Sequence, residues 1–316
     1  IKHLILMHNI SIVTSLYYSE EYIKDFYNRT LIACDEIFDD IEFIFVNDGS
    51  PDNSSNYVKD LCKKDRRVKL IELSRNFGHH KALMTGLDHA MNDLIWMIDV
   101  DLEEKPEWII KFYAEYKKCN VDVVYGTQKS RKGTFFKRWS GKLFFILMDY
   151  ISDLKLQKNC TTARLMNQEY KKSLCQFKEY NTNLLGLWKI TGYNQKSIYV
   201  DKSRSINTTY SKRKQIKFAI DSVINFSAKP LVIIFFIGIS IFLISLLLSI
   251  ILTFKYLFLG TAVTGWTSLM ISVWFIGGFL IGTLGLIGMY IAKIFIQTKN
   301  RPYTIIKEIY PSTKFD

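Results

Sequence analysis

The stretch Leu94-Ile95-Trp96-Met97-Ile98-Asp99-Val100-Asp101 joins an apolar run to two carboxylates. The apolar run predicts a strand that is buried on both faces of an α/β sheet. Ligands of such sheets bind at the carboxyl ends of the strands, where the Asp-x-Asp pattern would lie. Its oxygens suit a hard divalent cation that bridges the protein to a diphosphate. Taken alone, this short pattern fits equally well a turn whose carboxylates are solvated.

Three earlier segments predict strands of the same sheet, at Ile10–Leu16, 41–46 and Val68–Leu73. Each is rich in β-branched and other apolar residues, and each is followed by a segment with helical periodicity. Strands that alternate with helices predict a doubly wound, mostly parallel α/β sheet. The polar residues that follow the strands would then line one crevice: Asp48, Arg75, Asn76, Asp99, Asp101 and Glu103. This convergence favours a ligand site over a solvated turn.

The chain continues with further strands and helices beyond the Asp-x-Asp pattern. The pattern predicts helices at 106–119, 135–151, Gln168–Cys175 and 182–190. It predicts strands at 121–126, 161–166 and 195–200. Near the C-terminus, residues 301–306 predict one more short strand.

Two long segments, 230–254 and 256–292, contain no charged residue. A bilayer span needs roughly 20 apolar residues, so the segments predict transmembrane helices at 230–254 and 264–292. Basic residues precede the first span and follow the second, whereas the connection between the spans is nearly uncharged. The positive-inside rule therefore predicts that both termini are cytoplasmic. The predicted divisions are a cytoplasmic domain at 1–210, an interfacial helix at 211–229, the two spans, and a cytoplasmic tail at 293–316.

The interfacial helix is predicted from its position before a span and from its amphipathic pattern. Apolar side chains recur on one face, and the basic residues lie mainly off that face. Such a helix fits the surface of an anionic leaflet. An ordinary amphipathic helix of a protein core is the alternative.

The net charge of +12 indicates a membrane surface and phosphate ligands as partners. No motif supports nucleic-acid binding. The five cysteines are scattered without a C-x-x-C spacing, which argues against both a disulfide framework and a zinc site.

The chain resembles family 2 glycosyltransferases of the polyprenyl-phosphate type, a group that includes dolichol-phosphate-mannose synthases and bactoprenol-phosphate glucosyltransferases. The resemblance covers nearly the whole chain, including the two apolar segments. The matching stretches are Val46-Asn47-Asp48-Gly49-Ser50-Pro51-Asp52, Leu73-Ser74-Arg75-Asn76-Phe77-Gly78, Asp99-Val100-Asp101-Leu102 with Pro106-Glu107, and Arg164-Leu165-Met166. The resemblance implies a GT-A catalytic domain, that is, a Rossmann-like domain with a mostly parallel sheet.

The resemblance also implies roles for individual residues. Asp99 and Asp101 would hold Mg²⁺ or Mn²⁺ on the diphosphate of a UDP-sugar, and Glu103 stands where the family has a glutamine that completes the metal shell. Asp48 would accept a hydrogen bond from the uracil or the ribose. The nucleotide-sugar site as a whole would comprise Leu16, Tyr17, Glu20, Asp48, Arg75, Asn76 and Asp99. The catalytic residues would be Asp101, Arg164 and Arg204, with both arginines near phosphate.

The chain departs from the family pattern at three places. The first strand runs into Ser15-Leu16-Tyr17-Tyr18-Ser19-Glu20, where the family has Pro-x-Tyr-Asn-Glu-Glu. The segment after Arg204 has Asn207 and Thr209 in place of a glycine and a serine. The family's Asp-Phe-Arg is Thr162-Ala163-Arg164 here, so the aspartate considered for base or metal roles is missing. An acceptor phosphate that is already anionic needs little deprotonation, so positioning and charge neutralisation would carry the catalysis.

The expected reaction is inverting transfer of a hexose, glucose by resemblance, from a UDP-sugar to undecaprenyl phosphate. The product would be a lipid-linked sugar for modification of a cell-surface polysaccharide such as the O-antigen of lipopolysaccharide. The resemblance implies a multi-pass protein of the bacterial inner membrane and a homotetramer. One alternative is a polysaccharide synthase of the same fold, although the chain lacks the Gln-x-x-Arg-Trp segment of those enzymes. Another is a non-catalytic membrane protein that binds a nucleotide sugar or a lipid phosphate.

Overall fold

The structure is a computed structural model that describes residues 8–128, 159–179, 182–202, 224, 227–259 and 265–311 of the 316-residue chain. The chain divides into two compact units. The sheet unit comprises Ile1–Phe145, Lys155–Tyr210 and Arg301–Asp316, and the apolar unit comprises Ile146–Leu154 and Ser211–Asn300.

The sheet unit is built on eight strands in the order β7-β5-β6-β4-β1-β2-β3-β8. Their bounds are β1 Ile10–Leu16, β2 Ile41–Asn47, β3 Val68–Leu73, β4 Leu94–Met97, β5 Val123–Thr127, β6 Cys160–Asn167, β7 Gln195–Tyr199 and β8 Ile306–Tyr310. Strands β4, β1, β2 and β3 are parallel neighbours, as are β5 and β7. Strands β6 and β8 run antiparallel to their partners. The predicted α/β class with a mostly parallel sheet is confirmed.

Helices cover both faces of this sheet. Their bounds are α1 Glu20–Asp35, α2 Ser54–Lys64, α3 His79–His89, α4 Trp108–Cys119, α5 Gln168–Cys175 and α6 Leu184–Ile190. One core lies between the sheet and α1, α2 and α4, and the other lies between the sheet and α3, α5 and α6. Every residue of β1 and β4 is buried. Strand β1 lies between the parallel strands β4 and β2, and β4 lies between the parallel β1 and the antiparallel β6. Helices cover both faces of these strands.

The C-terminal strand was predicted at 301–306, and this position is wrong. Strand β8 begins at Ile306 and pairs antiparallel with β3. Pro302 has no N–H to donate to a ladder, and the residues after it make other contacts. The hydroxyl of Thr304 lies 2.9 Å from that of Thr85 in α3, and the carbonyl of Ile305 accepts from the N–H of Ser74.

The apolar unit contains two long helices, α7 Lys229–Leu259 and α8 Trp266–Thr298. By length and composition, Lys229–Leu252 and Ser272–Thr298 could each cross a membrane, and neither is buried against protein. Both predicted apolar helices are therefore present. The predicted helix at 135–151 and most of the predicted interfacial helix at 211–229 lie outside the described residues.

The turn after β2 approaches the loop after β3 so closely that only glycine fits at one position. Gly49 has a φ of +63°, and a Cβ there would lie 2.6 Å from the carbonyl carbon of Arg75 and 2.7 Å from the nitrogen of Asn76. Two strand-end loops thus meet backbone to backbone. This contact sets the distance between the two loops at one edge of the crevice.

We expect Gly49→Ala to lower the free energy of unfolding by roughly 3 kcal/mol, because it adds a backbone clash to the strain of a left-handed alanine. Gly192→Ala is a matched control, since Gly192 also has a positive φ (+74°) but meets nothing closer than 4.0 Å. It should cost only about 1 kcal/mol. Denaturant unfolding of the chain in detergent measures both. Equal losses for the two variants would contradict the close approach at Gly49.

Candidate active site

The carboxyl ends of β4, β1, β2 and β3 lie side by side at one edge of the sheet. Most of the predicted site residues follow these ends, because parallel strands that share a sheet end at the same edge. The acidic residues come from the loop after β4, and the first residues of α3 face them. This edge of the sheet, with the loops that follow its strands, is called the crevice below.

Asp99, the first residue of the pattern, is held by a chain of contacts across the strand ends. Its Oδ1 lies 3.2 Å from Nε2 of His79, and Nδ1 of His79 lies 2.8 Å from the hydroxyl of Ser15. Burial alone would raise the pKa of Asp99, but His79, the Thr162 side chain and Lys202 lower it. Burial would lower the pKa of His79, and the carboxylates led by Asp99 raise it. The contact with His79 and the charges around Asp99 therefore favour its ionised form.

Asp101 extends toward solvent beyond Asp99. Its Oδ1 accepts from the N–H of Glu103 at 3.0 Å, and Leu102 between them has a φ of +59°. The pKa of Asp101 is raised to about 6, first because the surrounding protein desolvates the carboxylate and then because Asp99 and Glu103 carry like charge. A cation at this position would relieve the repulsion between the two aspartates.

The two aspartates fit Mg²⁺ or Mn²⁺ in part. Mg²⁺ commonly binds through one or two carboxylates plus substrate phosphates and water, and Asp99 and Asp101 supply such a pair of hard oxygen ligands. Within the described residues, no three His, Cys, Asp or Glu side chains stand together as a metal site. The predicted set of Asp99, Asp101 and Glu103 is therefore not assembled as a three-residue cage, and the diphosphate would have to complete the shell.

Glu104 is a site residue that sequence reasoning missed. Its side chain is fully buried and accepts from the N–H of Thr162 at 2.9 Å and of Ala163 at 2.7 Å. Its Oε1 also lies 2.7 Å from Nζ of Lys202. Burial, followed by the charge of Asp99, raises the pKa of Glu104 to about 7. No local pattern indicates this cluster, because its members come from three distant segments that only the fold brings together.

Lys202 is the cationic member of this cluster. Partial burial would lower its pKa, but the charges of Glu104, Asp99 and Asp101 raise it. The ammonium therefore stays charged beside the three carboxylates.

Asp48 follows β2 and is almost fully buried. Its Oδ1 accepts from the N–H of Phe77 at 2.7 Å, and its Oδ2 accepts from the N–H of Gly78 at 2.9 Å. Burial raises the pKa of Asp48 despite these two hydrogen bonds. The carboxylate predicted to meet the nucleotide thus also fastens the loop that leads into α3.

The residues predicted at the end of the first strand have different environments. Leu16 is fully buried in the core, so only its backbone reaches the crevice edge, and its carbonyl accepts from the N–H of Asp48. Tyr17 is exposed and packs edge-on against Tyr18. The carboxylate of Glu20 accepts from the N–H of Asn53 at 3.2 Å, which links the starts of α1 and α2.

The predicted pair after β3 lies at the surface. Arg75 and Asn76 are both exposed. The guanidinium of Arg75 lies over the ring of Phe77, 4.1 Å from its centroid, and donates to the carbonyl of Asn76. Both side chains are accessible to a ligand from this loop.

Arg164 is not where the sequence analysis expected it. Its side chain is fully buried, with the guanidinium 3.7 Å from the ring centroid of Trp188 and 4.7 Å from that of Tyr125. It also donates to the side chain of Gln195. A guanidinium enclosed in this way does not meet a phosphate that arrives from solvent. Arg204, the other predicted phosphate contact, lies outside the described residues.

Comparison with known proteins gives a family match and close relatives. Residues 11–178 match the family described as Glycosyl transferase family 2. A protein of Mycobacterium tuberculosis (strain CDC 1551 / Oshkosh), described as "Putative glycosyltransferases", is 43% identical over 96% of this chain and 89% of its own length. The SfII prophage-derived bactoprenol glucosyl transferase of Shigella flexneri is 32% identical over 95% of this chain and 97% of its own. The prophage bactoprenol glucosyl transferase homolog of Escherichia coli (strain K12) is 30% identical over 95% and 99%.

Proposed function

The chain belongs to glycosyl transferase family 2, and we propose that it transfers glucose from UDP-glucose to undecaprenyl phosphate. Its sheet unit has the GT-A-like fold of that family. The observation that carries the proposal is the Asp99 carboxylate, which lies 3.2 Å from His79 and is followed by Asp101 just beyond the end of β4. Such a pair suits a metal-bound nucleotide diphosphate.

A lipid acceptor is supported by the rest of the chain. Two apolar helices of membrane-spanning length follow the sheet unit. The match to the two bactoprenol glucosyl transferases covers 95% of the chain, so it includes these helices. A polyprenyl phosphate would present its phosphate at the membrane surface and its tail to the bilayer.

In the proposed reaction, an oxygen of the acceptor phosphate forms a bond to C1 of the sugar. The bond between C1 and the UDP oxygen breaks, UDP leaves with the electron pair, and C1 is inverted. The phosphate brings its own negative charge to the attack. The side chains of the crevice then have to position two anions and offset their charge.

Each site residue has a part in that task. Nε2 of His79 lies 3.2 Å from Oδ1 of Asp99 and would orient this carboxylate. Asp99 and Asp101 would hold Mg²⁺ or Mn²⁺, which when bound offsets the charge of the departing diphosphate. Asp48 fixes the loop that carries the accessible Arg75 and Asn76, whose donors suit the nucleotide.

The proposal extends to the place of the protein in the cell. The sheet unit and both termini would lie on the cytoplasmic side of the bacterial inner membrane, where UDP-sugars are found, with a homotetrameric assembly by resemblance. The lipid-linked glucose would serve a later transferase that modifies a cell-surface polysaccharide.

The reaction is tested by incubating membranes that contain the chain with undecaprenyl phosphate and one labelled nucleotide sugar at a time. The panel contains UDP- and GDP-sugars, each with and without Mn²⁺. We expect label to enter the lipid fraction from UDP-glucose in the presence of the metal. Transfer from a different nucleotide sugar would correct the donor. No lipid-linked label from any donor would overturn the proposal.

We expect Asp99→Asn and Asp101→Asn to lower kcat by more than about a hundredfold, because each removes a charged ligand that would stabilise the leaving diphosphate. Chelation by EDTA should have a similar effect on the wild type. Asp25→Asn changes an exposed carboxylate of α1 and serves as the control. Turnover of Asp101→Asn at the wild-type rate in EDTA would exclude the metal role.

The topology predicts opposite protease sensitivity in two kinds of sealed vesicle. In inverted inner-membrane vesicles the sheet unit faces outward and should be digested, because the basic flanks of both spans remain in the cytoplasm. In right-side-out spheroplasts it should be protected. Immunoblotting against residues of the sheet unit measures both. Digestion in spheroplasts alone would reverse the assigned orientation.

A further inference from the structure

We propose that Lys202, fixed by Glu104, binds a phosphoryl oxygen of a substrate in the crevice. The two residues are called the Glu104–Lys202 pair below. The inference deepens the proposed function and rests on it, since it concerns the anions that meet in the same site. The family match does not assign either residue, and the two come from segments 98 positions apart in the chain.

The side chain of Glu104 is fixed by hydrogen bonds to the backbone. Both of its oxygens accept from backbone N–H groups at the start of β6, at 2.9 Å from Thr162 and 2.7 Å from Ala163. A carboxylate with no solvent exposure and two backbone donors has little freedom to rotate. The atom that it holds at 2.7 Å, Nζ of Lys202, is therefore held in one place as well.

Lys202 is the member of the pair that faces outward. Its side chain is 23% exposed, whereas that of Glu104 has no exposed surface. An ammonium has three N–H donors, and within the described residues Lys202 forms one ion pair, with Glu104. Donors are thus left for an anion that enters the crevice. The charges of Asp99 and Asp101 also raise the pKa of this ammonium, so the anion would be bound in the field of the two aspartates.

The charge of the crevice explains why a cation is needed there. Three carboxylates belong to this part of the site: Asp99, Asp101 and Glu104. Both substrates of the proposed reaction also carry negatively charged phosphates. A fixed ammonium offsets the repulsion that an entering phosphate would meet. Arg164, the cation expected for this role, is enclosed by Trp188 and Tyr125 instead. Lys202 stands at the accessible position.

The bound oxygen could come from either of two phosphates. One is the diphosphate of the nucleotide sugar, and the other is the phosphate of the lipid acceptor. Both offer the same charged acceptor atoms to an ammonium, so the kinetics for the two substrates have to separate them.

A purely structural role for the pair makes a different prediction. If Lys202 only neutralised the buried Glu104, its removal would act through an uncompensated buried charge. Replacing both charges together, as in Glu104→Gln with Lys202→Met, removes the uncompensated buried charge. The glutamine oxygen can accept from one of the two β6 N–H groups that Glu104 binds, and the other loses its acceptor. The double variant therefore distinguishes support of the fold from contact with substrate.

The experiment measures kcat and KM in detergent for UDP-glucose and for undecaprenyl phosphate. The variants are Lys202→Met, Lys202→Arg, the double variant, and Lys196→Met as a control, since Lys196 is an exposed lysine of β7. We expect Lys202→Met and the double variant both to lower kcat/KM for a phosphate substrate by about ten- to a hundredfold, the effect of losing a charged hydrogen bond. Lys202→Arg should recover most of the loss, and the control should match the wild type.

A rise of KM for the lipid assigns the contact to the acceptor, and a rise for the nucleotide sugar assigns it to the donor. Wild-type kcat/KM for both substrates in the double variant would overturn the proposal, even if Lys202→Met alone fails to fold. If the wild type shows no transfer, the proposed function fails by itself. Calorimetric binding of UDP and of undecaprenyl phosphate to the same variants then still decides whether Lys202 binds a phosphate, and equal affinities for wild type and double variant would overturn it.

Discussion

Repulsion between two carboxylates at the end of a buried strand is the constraint on which the crevice depends. Asp99 and Asp101 raise the cost of each other's charge, and Asp101 has its pKa raised to about 6 as a result of desolvation and this repulsion. Three groups from other segments lower the pKa of Asp99, namely His79, Thr162 and Lys202. Asp101 accepts from the backbone N–H of Glu103, and the charge of Lys202 offsets part of its repulsion. The pair is thus half satisfied by the protein, which leaves the outer carboxylate for a cation.

The sheet makes this arrangement possible because it brings distant segments to one edge. His79 contacts Ser15 at the end of β1 and Asp99 at the end of β4, so the order of parallel strands decides which side chains meet. Asp48 and Gly49 then join the β2 and β3 loops, one through hydrogen bonds and the other through close packing. The segment just before β8 stabilises the same region, since Ile305 contacts the β3 loop and Thr304 contacts α3. The chain that returns after α8 therefore supports the loop that carries Arg75 and Asn76.

Local sequence signals predicted the elements well and the side-chain environments poorly. Apolar runs and helical periodicity are properties of neighbouring residues, and they placed β1 and β3 at their observed bounds. The Asp-x-Asp pattern also lies at a strand end, as its position after an apolar run implied.

Arg164 was misjudged because its burial depends on Trp188 and Tyr125, which lie on other elements. Glu104 gave no signal at all, since a glutamate beside other acidic residues normally indicates a solvated loop. The strand predicted at 301–306 was placed too early, because residues before Ile306 contact α3 instead of the sheet.

The threonine at position 162 changes what the crevice has to do. A family aspartate there would add one more negative charge next to Asp99, whereas the side chain of Thr162 lowers the pKa of Asp99. Another carboxylate of this loop, Glu104, is turned toward the backbone of β6 and toward Lys202. In the described part of the site, most of the side chains therefore orient or offset charge rather than remove a proton. An acceptor that is already an anion needs that kind of site, because its approach is limited by repulsion and its attack requires no base. The threonine at this position therefore removes one negative charge from the site that an anionic acceptor would enter.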